Sequence, residues 1–358
     1  MGAETDTHGS LSMISERQAI LGTTASQLQP ALKQSEIRRD LNPRQALDAL
    51  TEESPEKGSI ESPSPAKTAA AKVKKTNYHD PPLVLNITYT QYELIHEVAQ
   101  ACNLRTSIDE EEDWDIWFID GPTIPALLVK MKSYQRTNHF PGMYALARKN
   151  LLAKNLISMQ KYFPQAYNFF PKTWLLPADI KAFKEQFNYR KAKTFIIKPE
   201  ASCQGKGIFL TRNFDWYQPG EHYVAQRYLH KPFLVDNLKF DLRIYVLITS
   251  VIPLRVFIFK EGLARFATQD YVPPLGSNLN NLFMHLTNYA INKESEDFVQ
   301  NSGSEDTGHK RSLTAIFRAL DFARQTDPEI ISSQECWQLL KELTVKTIIA
   351  GHNHIAHI

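Results

Sequence analysis

The chain has 358 residues, of which 42% are hydrophobic and 11% aromatic, so it can bury a large core, and its length suggests two or more compact units. Its formal net charge of +2 gives no general reason to expect a nucleic acid or a membrane as partner. The three cysteines lack metal-ligand or redox spacing, and no apolar run approaches the roughly 20 residues that span a membrane.

The first part of the chain has the composition of an unstructured segment. Residues 1–81 are rich in Ser, Thr, Glu, Gln, Lys and Ala and contain almost no aromatic residues. Such a segment buries too little apolar surface to offset the conformational entropy that is lost on ordering. We therefore predict a disordered N-terminal extension over 1–81.

The ordered part begins with a strand–helix–strand pattern. A strand-like run covers Leu83–Ile87, a helical pattern covers Tyr92–Cys102, and a second strand-like run covers Trp114–Ile119. This order predicts an N-terminal α/β lobe over 82–140.

A strongly basic stretch follows, because residues 121–198 contain fourteen Lys and Arg residues and only two acidic residues. Helical patterns cover Tyr144–Tyr162 and Ala178–Tyr189, and single cations on them are adequately explained as solvated helix faces. Taken together, the cations predict an acidic partner for a basic central lobe, which we place at 141–235.

A glycine-containing hairpin is predicted around the strand-like run Thr194–Pro199. Gly205 and Gly207 in its turn would let backbone N–H groups approach phosphate oxygens, while Lys198 and Lys206 supply positive charge. The sequence contains no G-x-x-x-x-G-K-[ST] phosphate loop. An ordinary turn with solvent-facing lysines is the alternative interpretation.

Two later strands carry further polar groups. Residues Tyr223–Leu229 change from apolar to polar along the chain, which suits a strand that leads into a hinge. Backbone groups of such a hinge could form hydrogen bonds with the edge of an adenine base. Lys239–Leu247 alternates strictly, so Lys239, Asp241 and Arg243 share one face, as polyanion binding would need. A cross-strand ion-pair ladder is the alternative. The opposite face is predicted to pack in the core through Phe240, Leu242, Ile244 and Val246.

Polar groups continue beyond these strands. Arg265 stands among apolar neighbours, where a guanidinium needs a carboxylate or phosphate partner. The segment His285–Lys293 offers side chains that could bind a ribose, a phosphate or a carboxylate, although caps and turns explain such residues equally well.

The order of these motifs resembles the ATP-grasp ligase core of the tubulin tyrosine ligase-like family. The motifs are IIKP, SCQGKGIF, AQRYL, LKFDLRIYVL, GLARFAT and MHLTNYAINK. Upstream, MKSYQRTNHFPGM and FPKTWLLP are similar to the polyglutamylase branch of the family. The resemblance runs from about Leu83 to Ile358.

The resemblance implies an α/β (α+β) fold: an ATP-grasp-like core with an N-terminal α/β lobe and a C-terminal lobe over 236–358. Family members continue into a strand with an aspartate and a Glu-Val-Asn motif, which together ligate magnesium. Since this chain ends before them, we expect an incomplete, C-terminally truncated lobe, no metal ligands within the chain, and reduced or absent activity. His352, His354 and His357 suit zinc or copper better than magnesium.

The family's site residues map onto this sequence position by position. The resemblance implies that Lys198 and Arg243 are catalytic and that Arg265, Tyr289 and Lys293 hold free glutamate. The implied ATP site consists of Lys198, Lys206, Gly207, Gln226, Arg227, Tyr228, Leu229, Lys239, Phe240, Asp241, Thr287 and Asn288.

The implied function is that of an ATP-dependent tubulin polyglutamylase with ATP and Mg²⁺ as cofactors. It would convert an acceptor glutamate side chain to an acyl phosphate, which the amine of free glutamate then attacks. The implied partners are tubulin C-terminal tails and microtubules. We expect a cytoplasmic monomer on the cytoskeleton, including the cilium, basal body or axoneme, without a nucleic-acid or membrane partner. A truncated, inactive module that binds tails and nucleotide is the alternative.

Overall fold

The computed structural model describes residues 82–122, 125–188, 192–200, 202–300 and 307–356. The described residues fall into two compact units, which meet in sequence between Pro141 and Gly142. The predicted disordered extension over 1–81 and the residue His357 lie outside the described residues. The further division at 235/236 stays a prediction.

The unit that ends at Pro141 contains a parallel four-stranded sheet in the order β2-β1-β3-β4. Its elements are β1 (Val84–Tyr89), α1 (Glu93–Ala101), β2 (Arg105–Ser107), β3 (Ile116–Ile119), α2 (Pro125–Lys130) and β4 (Arg136–Thr137). Leu85 and Ile87 of β1 pack against the fully buried Ala99 of α1. The predicted strand–helix–strand order is therefore confirmed.

The second unit begins with an antiparallel sheet in the order β5-β8-β6-β7. Its strands are β5 (Thr173–Leu176), β6 (Phe195–Pro199), β7 (Phe209–Thr211) and β8 (Tyr223–Arg227). One face packs Trp174, Phe195 and Ile197 against Phe183 of a short helix, α5 (Ile180–Lys184). The predicted hairpin of β6 and β7 is confirmed.

A second antiparallel sheet, in the order β12-β11-β10-β9, carries the remaining strands of this unit. They are β9 (Leu234–Val235), β10 (Leu238–Val251), β11 (Leu254–Phe266) and β12 (Lys310–Ser312). Short helices α6 (Leu282–His285) and α7 (Tyr289–Asn292) lie between β11 and β12, followed by α8 (Leu313–Thr326).

The second sheet is packed at one end and exposed at the other. Phe240 and Leu242 of β10 pack against the buried Phe266 and Ile316, as predicted. Val246 was predicted to be in the core, but it is 40% exposed. The apolar core at this strand is formed by Leu238, Phe240 and Leu242 with Phe266 and Ile316, and Val246 lies beyond that core.

Helices complete the second unit. The pattern predicted over Tyr144–Tyr162 is divided into α3 (Tyr144–Ala147) and α4 (Lys149–Tyr162), because Arg148 has extended backbone angles of φ −83° and ψ 129°. The last helix, α9 (Ser333–Ala356), packs against α3 and α4. A Cβ atom added at Gly351 of α9 would overlap Leu146 Cδ2 and lie 2.8 Å from Leu146 Cγ.

We predict that Gly351→Ala lowers the free energy of unfolding, although replacing a helical glycine with alanine ordinarily raises it by about 1 kcal/mol. The added methyl group overpacks against Leu146, at a cost of about 1–3 kcal/mol. Chemical denaturation measures the change. Leu146→Ala in the same chain should recover part of the loss, whereas Gly276→Ala, at a position with open space, should cause none. An additive double variant would contradict the packing explanation.

Candidate functional site

Polar side chains from both sheets of the second unit converge near two partly buried lysines, Lys198 of β6 and Lys239 of β10. Burial lowers the pKa of Lys239, the charge of Asp241 raises it, and the charge of Lys198 lowers it. Neither lysine forms an ion pair with a carboxylate among the residues that the structure describes. This pair is the centre of the candidate site.

Neutral oxygens hold Lys198 in place. Its Nζ donates to Gln226 Oε1 at 2.6 Å, and Gln226 Nε2 donates in turn to Thr173 Oγ1 at 2.9 Å. Burial lowers the pKa of Lys198, and the nearby charge of Lys149 lowers it further. Lys149, at the start of α4, donates to the carbonyl oxygens of Pro199 and Ser202. The local positive charge is therefore only partly compensated.

Lys239 starts a hydrogen-bonded chain that leads into the core. Its Nζ donates to Tyr228 Oη at 2.9 Å and to the carbonyl oxygen of His285 at 2.8 Å. His285 Nε2 lies 3.1 Å from the carbonyl oxygen of Asn278 and must donate to it, so Nδ1 accepts from Tyr228 Oη at 3.1 Å. Burial lowers the pKa of Lys239 to about 8 and that of His285 to about 4.

The turn after β6 approaches this region through its glycines. Gln204, Gly205 and Gly207 have φ angles of +59°, +88° and +70°. A Cβ atom at Gly205 would lie 2.7 Å from Ile291 Cδ1 and 3.0 Å from Asn288 Cγ, so glycine is required for the turn to pack beside α7. The turn thereby brings its backbone N–H groups and the exposed Lys206 to the site.

A bidentate ion pair joins β10 to β11. Asp241 lies opposite Arg265 in the antiparallel register, and Arg265 Nε and Nη2 donate to its two carboxylate oxygens at 2.8 Å and 2.7 Å. Thr287 Oγ1 also donates to Asp241 Oδ2 at 2.7 Å. The bond to Asp241 raises the pKa of Arg265. For this pair, the alternative of a cross-strand ion pair is confirmed.

A lysine that sequence reasoning missed extends this row. Lys310 of β12 lies opposite Arg265, and its Nζ lies 3.8 Å from the centre of the Tyr289 ring. Thr173, Lys149 and His285 were also absent from the predicted site residues. These residues carry no local pattern that would identify them, because strand pairing and helix packing alone bring them to the site.

Contacts link many of the predicted residues to one another, whereas the side chains of five are exposed or make other contacts. Arg243 is exposed, with its guanidinium carbon 5.9 Å from the centre of the Tyr245 ring. Phe240 packs in the core, and Leu229 is 53% exposed. Among the other predicted residues, hydrogen bonds link Lys198 to Gln226, Lys239 to Tyr228, and Asp241 to Arg265 and Thr287. Asn288 lies beside Gly205 of the turn that contains Lys206 and Gly207, and Tyr289 lies beside Lys310.

The other two residues are Arg227, the last residue of β8, and Lys293, which follows α7. Arg227 stacks on Phe195, on the face of the sheet opposite to Gln226 and Tyr228. Lys293 is exposed and pairs with Glu294 at 3.6 Å. We therefore retain only the backbone groups of Arg227, Leu229 and Phe240, and not their side chains, as predicted contacts of a nucleotide.

The described residues contain no group of three or more His, Cys, Asp or Glu side chains that could hold a metal ion. Among the helices that the structure describes, none has the length and the apolar character needed to cross a membrane.

Comparisons with known proteins agree with one another. Residues 128–357 match the model of the tubulin-tyrosine ligase family. The chain is 46% identical over 276 residues to tubulin polyglutamylase TTLL13 of Mus musculus, covering 77% of this chain and 33% of that protein. It is 46% identical over 286 residues to a probable beta-tubulin polyglutamylase of Tetrahymena thermophila, covering 78% and 23% of the two chains.

A third relative, tubulin polyglutamylase ttll6 of Danio rerio, is 44% identical over 275 residues, which cover 77% of this chain and 34% of that protein. The chain thus spans about a third or less of the length of these curated relatives.

We predict that His285→Ala destabilises the protein by about 2–5 kcal/mol, because it leaves a cavity and removes the partner of the Tyr228 hydroxyl. Denaturation at neutral pH measures the loss. His285→Gln, which keeps a donor and an acceptor, should lose less.

The pH dependence supplies a second readout. Since the pKa of His285 is about 4 when folded and its ordinary value is 6.5, the unfolded state binds the proton more readily between these values. The stabilisation is therefore complete above pH 6.5 and is lost as the pH falls towards 4, by up to about 3 kcal/mol. His285→Gln should show a correspondingly smaller loss over this interval, whereas the exposed His354→Gln should follow the wild type. Equal slopes in all three proteins would contradict a neutral, buried His285.

Proposed function

This chain belongs to the tubulin-tyrosine ligase family, in the branch of its tubulin polyglutamylase relatives, and we propose that it is an ATP-dependent ligase that adds glutamate to glutamate side chains in tubulin C-terminal tails. The observation that carries the proposal is the pair Lys198 and Lys239, two partly buried cations of lowered pKa, neither of which forms an ion pair with a carboxylate in the described residues. A fold of the ATP-grasp type, with a nucleotide between the two antiparallel sheets, fits this arrangement.

The residues present fit a triphosphate. Burying two ammonium groups is unfavourable unless a negative charge compensates them. The bonds to Gln226, Tyr228 and the His285 carbonyl supply dipoles, and Asp241 compensates Lys239 in part, since burial still lowers its pKa. A polyanion would compensate both lysines at once. The left-handed turn with Gly205 and Gly207 is of a kind that lets a backbone approach phosphate oxygens closely.

When bound, ATP would supply the phosphoryl group that activates the acceptor carboxylate as an acyl phosphate. The amine of free glutamate then attacks the acyl carbon, an amide bond forms, phosphate leaves and the amine loses a proton. In this scheme Lys198 and Lys239 neutralise phosphate charge, and they are held in position before binding by Gln226 and Tyr228.

We propose that Arg265, Lys310 and Tyr289 hold the carboxylates of the incoming glutamate. Arg265 already binds Asp241 through Nε and one Nη atom, which fixes the plane of its guanidinium. Lys310 is the neighbour of Arg265 in the sheet and lies over the Tyr289 ring. Together they place two positive charges beside the acidic Asp241, and a glutamate carboxylate fits between cations of this kind.

Mg²⁺ would accompany the ATP phosphates, but the described residues do not by themselves supply its ligands. Asp241 is the carboxylate of the site, and both of its oxygens accept bonds from Arg265 and Thr287. The ion would therefore be held mainly by phosphate oxygens and water.

The proposed acceptor is acidic, as are tubulin tails, and the basic residues between 121 and 198 would attract it. The same attraction would bring the protein to microtubules and the cytoskeleton. A module that binds tails and nucleotide without catalysis is the competing proposal, and the incorporation of glutamate distinguishes the two.

We predict that the purified chain, with ATP and Mg²⁺, incorporates radiolabelled glutamate into tubulin and that Lys198→Ala abolishes this incorporation. Lys310→Gln should raise the KM for glutamate by about tenfold, since one charged contact is lost, while the Kd for ATP stays within about twofold. Lys310→Arg should restore part of the affinity, and Lys341→Gln, an exposed lysine on α9, serves as the control.

Two outcomes would count against these assignments. Binding of nucleotide and tubulin without any incorporation would favour the non-catalytic module. A Lys310→Gln variant with an unchanged KM for glutamate would remove Lys310 from the proposed glutamate site.

The pKa of Lys239 generates a separate prediction for nucleotide binding. Because this pKa is about 8, the ammonium loses its proton as the pH rises through about 8, and the affinity for ATP should fall over that interval. Isothermal titration calorimetry between about pH 7 and pH 9 measures the effect. Lys239→Gln should bind ATP more weakly at pH 7 and show a flat profile. An identical slope in Lys239→Gln would assign the pH dependence to another group.

A further inference from the structure

The first sheet of the second unit carries one cation from each of its four strands at the same end. Strands β5 and β6 begin there, and β7 and β8 end there, because the sheet is antiparallel throughout. Lys172 precedes β5, Lys193 lies two residues before β6, Arg212 follows β7, and Arg227 is the last residue of β8. We call these four residues the cationic edge.

Aromatic rings and neutral oxygens hold three of these cations. Lys172 Nζ lies 5.3 Å from the centre of the Trp174 ring, and the guanidinium carbon of Arg227 lies 5.6 Å from that of Phe195. Arg212 donates to Thr194 Oγ1 at 2.9 Å and to the carbonyl oxygen of Pro274. None of Lys172, Arg212 and Arg227 forms an ion pair with a carboxylate in the described part of the chain.

The environment of the edge is uniformly positive. Burial lowers the pKa of Arg227, and Arg212 lowers it further. The pKa of Lys193 is lowered by burial and then by Arg227 and Lys172, and the pKa of the neighbouring His230 is lowered by burial, Arg227 and Lys231. Within the described part of the chain, the buried Arg227 Nη1 has no hydrogen-bond partner. The cations thus lie close enough to repel one another, which an anion would relieve.

The central lysines of the candidate ligase site lie away from the cationic edge, although Gln226 and Thr173 adjoin Arg227 and Lys172 in the sequence. Lys198 is three residues from Phe195, about 10 Å along β6, and the glycine turn follows at that end of the strand. Arg227 moreover points to the face opposite Gln226 and Tyr228. A ligand at the edge would therefore leave the two central lysines accessible.

We propose that the cationic edge is a docking surface for an extended acidic peptide, and in particular for a glutamate-rich segment of the tubulin substrate beyond the residue that is modified. That the peptide belongs to tubulin rests on the proposed function, whereas its acidic character is inferred from the cations of the edge alone. Neighbouring strands lie about 4.8 Å apart, so four cations span roughly 14 Å, more than one phosphate or carboxylate can cover. A peptide that crosses the strand ends offers a row of carboxylates over that span.

Single-stranded nucleic acid fits the edge less well. Its binding sites use exposed aromatic rings on which bases stack. At this edge Trp174 is only 4% exposed and Phe195 is fully buried, and both rings already carry cations. An acidic peptide needs the charges alone.

The test uses the full chain without nucleotide and a fluorescein-labelled peptide of alternating Glu and Gly, with binding followed by fluorescence anisotropy at low salt. Lys172→Gln combined with Lys193→Gln should weaken binding by roughly fivefold or more, because two charged contacts are lost. The double variant Lys260→Gln with Lys341→Gln removes the same charge from other exposed positions and should bind like the wild type. Lys172→Arg combined with Lys193→Arg should also retain binding. Thermal unfolding establishes that each variant is folded.

Several results would overturn the inference. They are equal peptide affinity in the Lys172→Gln/Lys193→Gln variant and its control, equal binding of a peptide with Gln in place of Glu, and tighter binding of single-stranded DNA that is lost in the same variant. The binding assay contains no ATP, so it does not depend on the proposed ligase activity. If the ligase proposal alone is wrong, the chain incorporates no glutamate but still binds the acidic peptide through its edge.

Discussion

Two partly buried lysine ammonium groups, on Lys198 and Lys239, have neutral oxygens as their hydrogen-bond partners. The other features of the candidate site depend on this constraint. Gln226 and Thr173 orient one lysine, and Tyr228 and His285 orient the other. Such an arrangement is costly for a protein alone and becomes favourable with a polyanion, because the binding of a negative group offsets the desolvation of both charges.

Asp241, Arg265 and Lys310 form a second group of charged residues at the site. Unlike the charges of the two lysines, the charges of Asp241 and Arg265 compensate each other in an ion pair. Here strand register sets three charged residues side by side on neighbouring strands. The carboxylate in the row is bound on both oxygens, so the pair with Arg265 is a fixed part of the scaffold. Lys310, which lies over an aromatic ring, remains as a cation with a weaker attachment. The site therefore combines preorganised dipoles, a structural ion pair and charges that a ligand can use.

The first sheet serves two purposes because its faces and ends differ. One face and one end carry Lys198 and the glycine turn, while the other end carries the cationic edge. The exposed aromatic surface that nucleic-acid binding would need is absent at that edge among the described residues, since the rings are buried beneath the cations. A ligase that acts on acidic polymers could use both regions at once, one for the reaction and one for holding the polymer.

The sequence by itself determined those elements whose pattern is local. Alternation along β10 identified the shared face of Lys239 and Asp241, and the glycines near 205–207 identified the hairpin, because periodicity and positive φ angles are properties of neighbouring residues. Family motifs indicated a nucleotide and glutamate. Only the tertiary structure decided that Val246 is exposed and that Lys310 stands beside Arg265. These facts follow from pairing and packing between segments distant in the chain, which the order of residues within one segment does not encode.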